Sequence, residues 1–195
     1  MLPPSDMLDG LKLRYGESQR HYHTWDHVEA LLAHFHSIEA TLFDPEATLW
    51  ALYWHDAIYD PQKSDNEDQS ADLLREEAAG ILDSDALDRA DTIIRATQQH
   101  LVPEGVSAED RHDLQTFLDI DLSILASDAD VFDTYEANIR KEYAFVPEDV
   151  YAQARAAILS GFLKRERLYF SDHYHNLWED RARANLQRSI SRLTS

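Results

Sequence analysis

The 195-residue chain is 44% hydrophobic and 28% charged, with 37 acidic residues against 18 basic ones and a formal net charge of −19. Such a surface repels nucleic-acid phosphates and anionic lipid, which excludes long nucleic acids and membranes as partners; no stretch approaches the roughly 20 apolar residues that span a bilayer. Cysteine is absent, so disulfides, thiolate metal sites, iron–sulfur clusters and thiol nucleophiles are excluded together, and any metal must be held by nitrogen and oxygen.

The opening segment, MLPPSDMLDGLKLRYGE, lacks the basic-then-apolar pattern of a secretion signal, and the expectation is a cytoplasmic protein. Helical spacing dominates the rest of the chain. Leu31, Leu32, Phe35 and Ile38 mark one face of a helix beginning near Trp25. Asp44 as N-cap and Pro45 at the first position open the next, which is predicted to run to about Ile58. The polar segment DPQKSDNEDQ reads as a loop. Helices are then predicted over about Glu67–Leu82 and Asp85–His100. Ser107 with Asp110 forms a capping box that opens a helix through Leu122. Three more are predicted: Ala129–Tyr143, Pro147–Phe170 and Asp172–Leu193. Strand and hairpin signatures are missing. The expectation is an all-α bundle of about eight helices forming a single domain over 1–195.

Three polar groups interrupt this apolar pattern. His55 and Asp56 are adjacent in ALYWHDAIYD, where burial demands a partner for each. In RHYHTWDHVEALL, His23 and His27 are four apart at the start of an amphipathic helix. In FLDIDLSILA, Asp119 and Asp121 sit inside an otherwise apolar run, about 200° apart on a helix, so at most one faces a given site.

A histidine, a later His-Asp pair and a distant aspartate, each on a different helix, resemble the signature of the HD-domain superfamily of metal-dependent phosphohydrolases. The matching residues are His27, His55, Asp56 and Asp121; Asp121 begins a D-x-x-L-like stretch and is preferred to Asp119. The phrases YGESQRHYHTWDHV, HDAIYDPQKSDNEDQSA, IIRATQQH, FLDIDLSIL and EYAFVPEDVYAQARAAILSGFLKRERLY resemble a bacterial branch described as predicted phosphohydrolases, over nearly the whole chain. The resemblance implies an HD-type helical fold and a divalent ion on His27, His55, Asp56 and Asp121. Nitrogen and oxygen donors suit manganese, iron, cobalt, nickel or zinc, and magnesium less well because of the imidazoles. Hydrolysis of a small phosphate ester, with a nucleotide among the options, is the implied activity. The same resemblance also admits two other readings: an HD-type di-iron oxygenase, and a metal-dependent binding or regulatory protein without turnover.

Asp56 would serve as ligand and as base. Related enzymes place an acid in the loop after the His-Asp pair to assist the leaving group, and Glu67 is that candidate; Asn66 and Glu67 equally suit the cap and first turn of the next helix. His23, His100, Arg20 and Lys63 are candidates for substrate contact. His100 also suits a helix C-terminus by its charge. Tyr22, Trp25, Trp50 and Trp54 are read as core aromatics, and the arginines of the last helix as partners of the acidic surface.

Overall fold

The structure is a computed structural model and describes residues 2–195. Among these residues it is all-α: nine helices, two short 3₁₀ stretches and no strand. The helices are α1 (Ser5–Tyr15), α2 (Trp25–Ile38), α3 (Pro45–Trp54), α4 (Asn66–Glu77), α5 (Ser84–Thr97), α6 (Ala108–Asp121), α7 (Ala129–Glu142), α8 (Glu148–Leu163) and α9 (Asp172–Leu193); the 3₁₀ stretches are Glu39–Thr41 and Leu122–Ala126. Eight of the nine correspond to the helices expected from the sequence. The ninth, α1, was not foreseen. The contacts gather into two compact units, residues up to Ile120 and Asp121–Ser195.

In the first unit α3 is the central element. Every residue from Ala47 to Trp54 is buried, so this helix is apolar all round, as a fully enclosed helix must be. Trp50 and Trp54 stack at 5.0 Å between ring centroids. Helices α1, α2, α4 and α5 pack around α3. Its start is set by Asp44, whose side chain accepts from the Ala47 amide at 2.9 Å, with Pro45 following as expected. Behind that start lies Asp113 of α6. It is buried, and its two carboxylate oxygens accept from the amides of Phe43 (3.0 Å) and Asp44 (2.7 Å).

Helices α4 and α5 are joined by charge as well as packing. Asp91 receives Arg75 at 2.7 Å and Arg95 at 3.0 Å, and Arg95 reaches on to Asp72. The capping pair that opens α6 forms as expected: the Asp110 amide donates to Ser107 Oγ at 3.0 Å.

In the second unit α9 packs on α8, on α7 and on Leu122–Ala126. Buried Asn185 donates to the carbonyls of Leu125 and Ser127, both at 2.9 Å. The predicted run of α8 to Phe170 is too long; the helix stops at Leu163. Residues beyond it are captured by α9, where buried Glu179 accepts from the Leu168 amide (3.0 Å) and Arg183 donates to the carbonyls of Leu163 and Arg165. The remaining arginines of α9 pair with acids as expected, Arg181 with Asp128, Arg188 and Arg192 with Asp133.

Asp113→Ala strands two backbone amides in a mostly buried position, so the variant is expected to lose about 2 kcal/mol of stability. Urea denaturation followed by circular dichroism measures this; a loss within error of zero would show that water replaces the carboxylate at no cost.

Candidate metal centre

The predicted extension of α3 to Ile58 is corrected by the structure: the helix ends at Trp54 and His55 caps it. The reason is tertiary. The last carbonyls of a helix have no internal partner; here a side chain from outside the helix supplies a donor to one of them, and a second holds the residues just beyond. Tyr15, the final residue of α1, donates its hydroxyl to the Tyr53 carbonyl at 3.0 Å and accepts from the Asp56 amide at 3.3 Å. Arg20 donates to the carbonyls of Asp56 (2.7 Å), Ala57 (3.0 Å) and His23 (3.1 Å), and to Glu17 Oε2 (3.1 Å). These contacts hold the turn that follows the helix at the His-Asp pair.

This assignment replaces the expected role of Arg20. Its side chain is fully buried and its donors are engaged at the turn, so it tethers the site instead of gripping a phosphate. Its guanidinium lies 5.1 Å from the ring centre of Tyr15 and 5.4 Å from that of Tyr59, sandwiched by aromatic faces.

The turn presents His55 toward α2. His55 Nε2 lies 3.1 Å from Nε2 of His27, the third residue of α2, and 3.1 Å from Asp56 Oδ2. Asp56 Oδ2 is 3.9 Å from His27 Nε2. Asp121, the last residue of α6, completes a group with His27 and His55 whose ligand atoms lie within 4.8 Å of one another, and this group could hold a metal ion. Of the four expected ligands Asp56 is not a member of that group, and neither is Asp119, fully buried on the same helix as Asp121.

The chemistry of the donors fits a cation. His55 Nδ1 is 2.9 Å from the Leu52 carbonyl, which only accepts; Nδ1 therefore carries the hydrogen, and the lone pair of the neutral ring is on Nε2. That lone pair faces another imidazole nitrogen and a carboxylate oxygen. A proton relieves such a contact for one pair of atoms; a divalent cation relieves it for the whole group. Two ligand atoms at about 2.1 Å from a common ion are about 3.0–3.4 Å apart, which matches both 3.1 Å separations and not the 3.9 Å between His27 Nε2 and Asp56 Oδ2.

Burial pushes the Asp56 carboxyl up. With no cation bound and the imidazoles protonated, positive charge on His55 and His23, the hydrogen bond with His55 and positive charge on His27 outweigh it and hold the carboxyl well below the usual carboxylate range. Glu67 behaves in the opposite way. Half-burial pushes its carboxyl up and nearby Asp56 adds to this, against the pull of its own backbone amide and of His100. Glu67 and His100 therefore share an electrostatic neighbourhood with Asp56.

His23 precedes α2 and stacks on Tyr59 at 4.2 Å between ring centres, while Tyr22 lies 5.0 Å from the His27 ring. His100 follows α5 with φ +49°, a left-handed conformation that histidine adopts more readily than most residues. Lys63 is exposed on the loop between α3 and α4. Asn66 does not cap α4, as one reading expected; its amide bonds both the N–H and the carbonyl of Asp60. With Ser70 on Ile58 and Gln98 on the Ser64 carbonyl, it pins the loop that follows the His-Asp pair. Tyr15 was missed by the sequence reading, and no local pattern in LKLRYGE marks it.

No family model, curated protein or solved structure matches the chain.

Arg20→Met keeps an apolar stem but removes every donor to the turn, and is expected to cost about 3 kcal/mol together with a weaker hold on added metal. Chemical denaturation and metal titration check the two effects; wild-type values for both would dissolve the tether. The raised Glu67 carboxyl makes a separate prediction. Ionising it is harder in the folded chain, so this group penalises folding above its folded pKa, and the penalty vanishes below the ordinary carboxylate range. Glu67→Gln should melt higher than the metal-free parent at neutral pH, with the gap closing near about pH 4. A gap that instead widens on acidification would reverse the assignment.

Proposed function

We propose that the chain is a metal-dependent phosphohydrolase of the HD type, acting on a small phosphate ester. The observation that carries this reading is the convergence of His27, His55 and Asp121 from the ends of three helices, with Asp56 Oδ2 3.1 Å from His55 Nε2. Manganese, iron, cobalt, nickel or zinc suits two imidazoles and two carboxylates better than magnesium does. An ion held there would acidify water and offset the charge that builds on phosphoryl oxygens.

The protein's own residues then divide the remaining work. Asp56, kept ionised among histidines, holds the cation and accepts a proton at a carboxylate oxygen. Glu67, whose carboxyl is pushed up, is still protonated at a pH where Asp56 is ionised, and is suited to deliver a proton to the leaving group. Two carboxyls with pKa values driven apart by their surroundings form an acid–base pair. His23 and Tyr59 form a stacked aromatic edge beside the ligands, and His100 lies within electrostatic reach of Glu67. Lys63, exposed on the loop after the His-Asp pair, is the cation left to meet a phosphate once Arg20 is committed to the turn. The net charge of −19 favours a small ester over a polyanion.

The test is a panel of nucleoside mono-, di- and triphosphates and sugar phosphates, with protein reconstituted in turn with each candidate metal. His55→Ala and Asp121→Ala should each lose bound metal by elemental analysis and lose turnover by more than about 100-fold, with helical circular dichroism retained. Glu67→Gln should keep its metal and lose turnover by about 10²–10⁴-fold. Undiminished hydrolysis by metal-stripped protein, or by Asp121→Ala, would defeat the proposal.

A further inference from the structure

The end of α5 grips the start of α4 through Arg95, whose guanidinium meets three carboxylates. Nε and Nη2 donate to Asp91, one turn back on the same helix, at 3.0 and 3.2 Å. Nη2 also donates to Asp72 at 2.6 Å, and Nη1 donates to Asp68. Asp68 and Asp72 are four apart on α4 and share one face of it. Three residues after Arg95, Gln98 donates to the Ser64 carbonyl at 2.9 Å. The end of α5 therefore holds residues 64–72 at three points, and Glu67 lies among them. The segment needs a counter-charge. Asp65, Glu67, Asp68 and Asp72 fall within eight residues, and the only basic residue between positions 60 and 74 is Lys63. Like charges at such spacing push a helix start apart.

A second arginine of the same network does a different job. Arg75, near the end of α4, donates to Asp91 at 2.7 Å and to Asp88 at 2.9 Å. Each arginine thus holds buried Asp91 together with acids that are more than half exposed, Asp68 and Asp72 for one and Asp88 for the other. Exposed ion pairs contribute little to stability, and removing either arginine leaves Asp91 with the other, so the two weigh about alike in the stability of the fold. They differ in what they place. Arg75 lies eight residues, about two turns, beyond Glu67. Arg95 binds Asp68, the next residue after Glu67, and His100 follows Arg95 by five positions. Its planar fork presents donors in fixed directions, so it sets the angle of the α4 start as well as its distance.

We propose that Arg95 is a positioning residue for Glu67: by holding Asp68 and Asp72 it fixes the first turns of α4, and with them the carboxyl that gives its proton to the leaving oxygen as the bond from that oxygen to phosphorus breaks. The role rests on the phosphohydrolase reading of the site. A proton donor must lie within hydrogen-bond reach of the atom it serves, and a displacement of about 1 Å costs about 100-fold in rate. The demand for that proton depends on the leaving group. An alkoxide departs only with a proton, whereas p-nitrophenolate departs without one, so a misplaced Glu67 harms alkyl esters and spares the phenyl ester.

The test compares Arg95→Met, Arg95→Lys and Arg75→Met with the wild type, each as the full chain loaded with manganese. The probes are two alkyl esters, AMP and glucose 6-phosphate, and p-nitrophenyl phosphate. Arg95→Met should lose about 100-fold in kcat on the alkyl esters, with KM and metal content unchanged and p-nitrophenyl phosphate nearly unaffected. Arg95→Lys keeps a point charge without the fork and should recover about tenfold of that loss. Arg75→Met should lower the melting temperature as much as Arg95→Met does and leave kcat unchanged on every ester. Hydrogen exchange reads the same placement without turnover: amides 69–72 should exchange about tenfold faster in Arg95→Met and at the wild-type rate in Arg75→Met. Unchanged exchange in Arg95→Met overturns the proposal. So does a fall of equal size on all three esters, or on none, which is the pattern of a merely structural arginine. A wild-type protein that cleaves no ester defeats the phosphohydrolase reading instead, and exchange alone then decides whether Arg95 fixes the start of α4.

Discussion

A helix that ends in a protein interior must hand its last carbonyls to donors from elsewhere, and much of the first unit is arranged around that demand at the end of α3. His55, which caps the helix, serves two of them, Ala51 through its amide and Leu52 through Nδ1, and the Ala57 amide serves Trp54. Tyr15 serves the Tyr53 carbonyl and Arg20 holds the carbonyls of Asp56 and Ala57 just beyond the helix, and together they define the turn on which His55 and Asp56 sit. A buried guanidinium is tolerable there because every donor meets a carbonyl or Glu17 and both its faces meet aromatic rings. Tyr15 and Arg20 hold the turn through backbone groups, those of Asp56 included.

Ligand placement follows from this scaffold. His27 stands in the first turn of a helix, His55 just past the end of another, Asp121 at the last residue of a third. Side chains at helix ends can converge where helix bodies, kept apart by their own packing, cannot. The Leu52 carbonyl then aims the His55 ring by holding its other nitrogen. The loop after the pair is fastened by Asn66, Ser70 and Gln98 onto Asp60, Ile58 and Ser64, so Glu67 begins α4 from a fixed point.

Much of this architecture was legible from local pattern. Helices α2, α5, α6 and α9 announce themselves by apolar spacing or caps, and the starts of α3 and α6 by Asp44 with Pro45 and by Ser107 with Asp110. Burial alone showed only that His55, Asp56, Asp119 and Asp121 need partners; that His27, His55 and Asp121 would share a site was what the resemblance implied. What escaped detection depends on distant contacts. Helix α1 buries only Leu11 and Tyr15 and lacks a side-chain N-cap, so neither periodicity nor capping marks it. The ends of α3 and α8 were placed too late because Arg20 and Tyr15 in one case, and Glu179 with Arg183 in the other, act across long sequence separations. Arg20 looked like a free cation since nothing in its neighbourhood reveals that three carbonyls await it.

The separation of the two histidines also orders events during folding. His27 and His55 are 28 positions apart, and Asp121 is farther still. In the unfolded chain only His55 and Asp56 are close enough to chelate, so an ion gains little there. It cannot template the fold as it does in small domains that collapse around zinc. An ion taken up by this group would add to stability only after the helices have assembled, by mass action on the native state, in proportion to the logarithm of free metal over its dissociation constant. Scarcity of the ion in a cell would therefore leave behind a folded, empty and refillable protein, not an unfolded one.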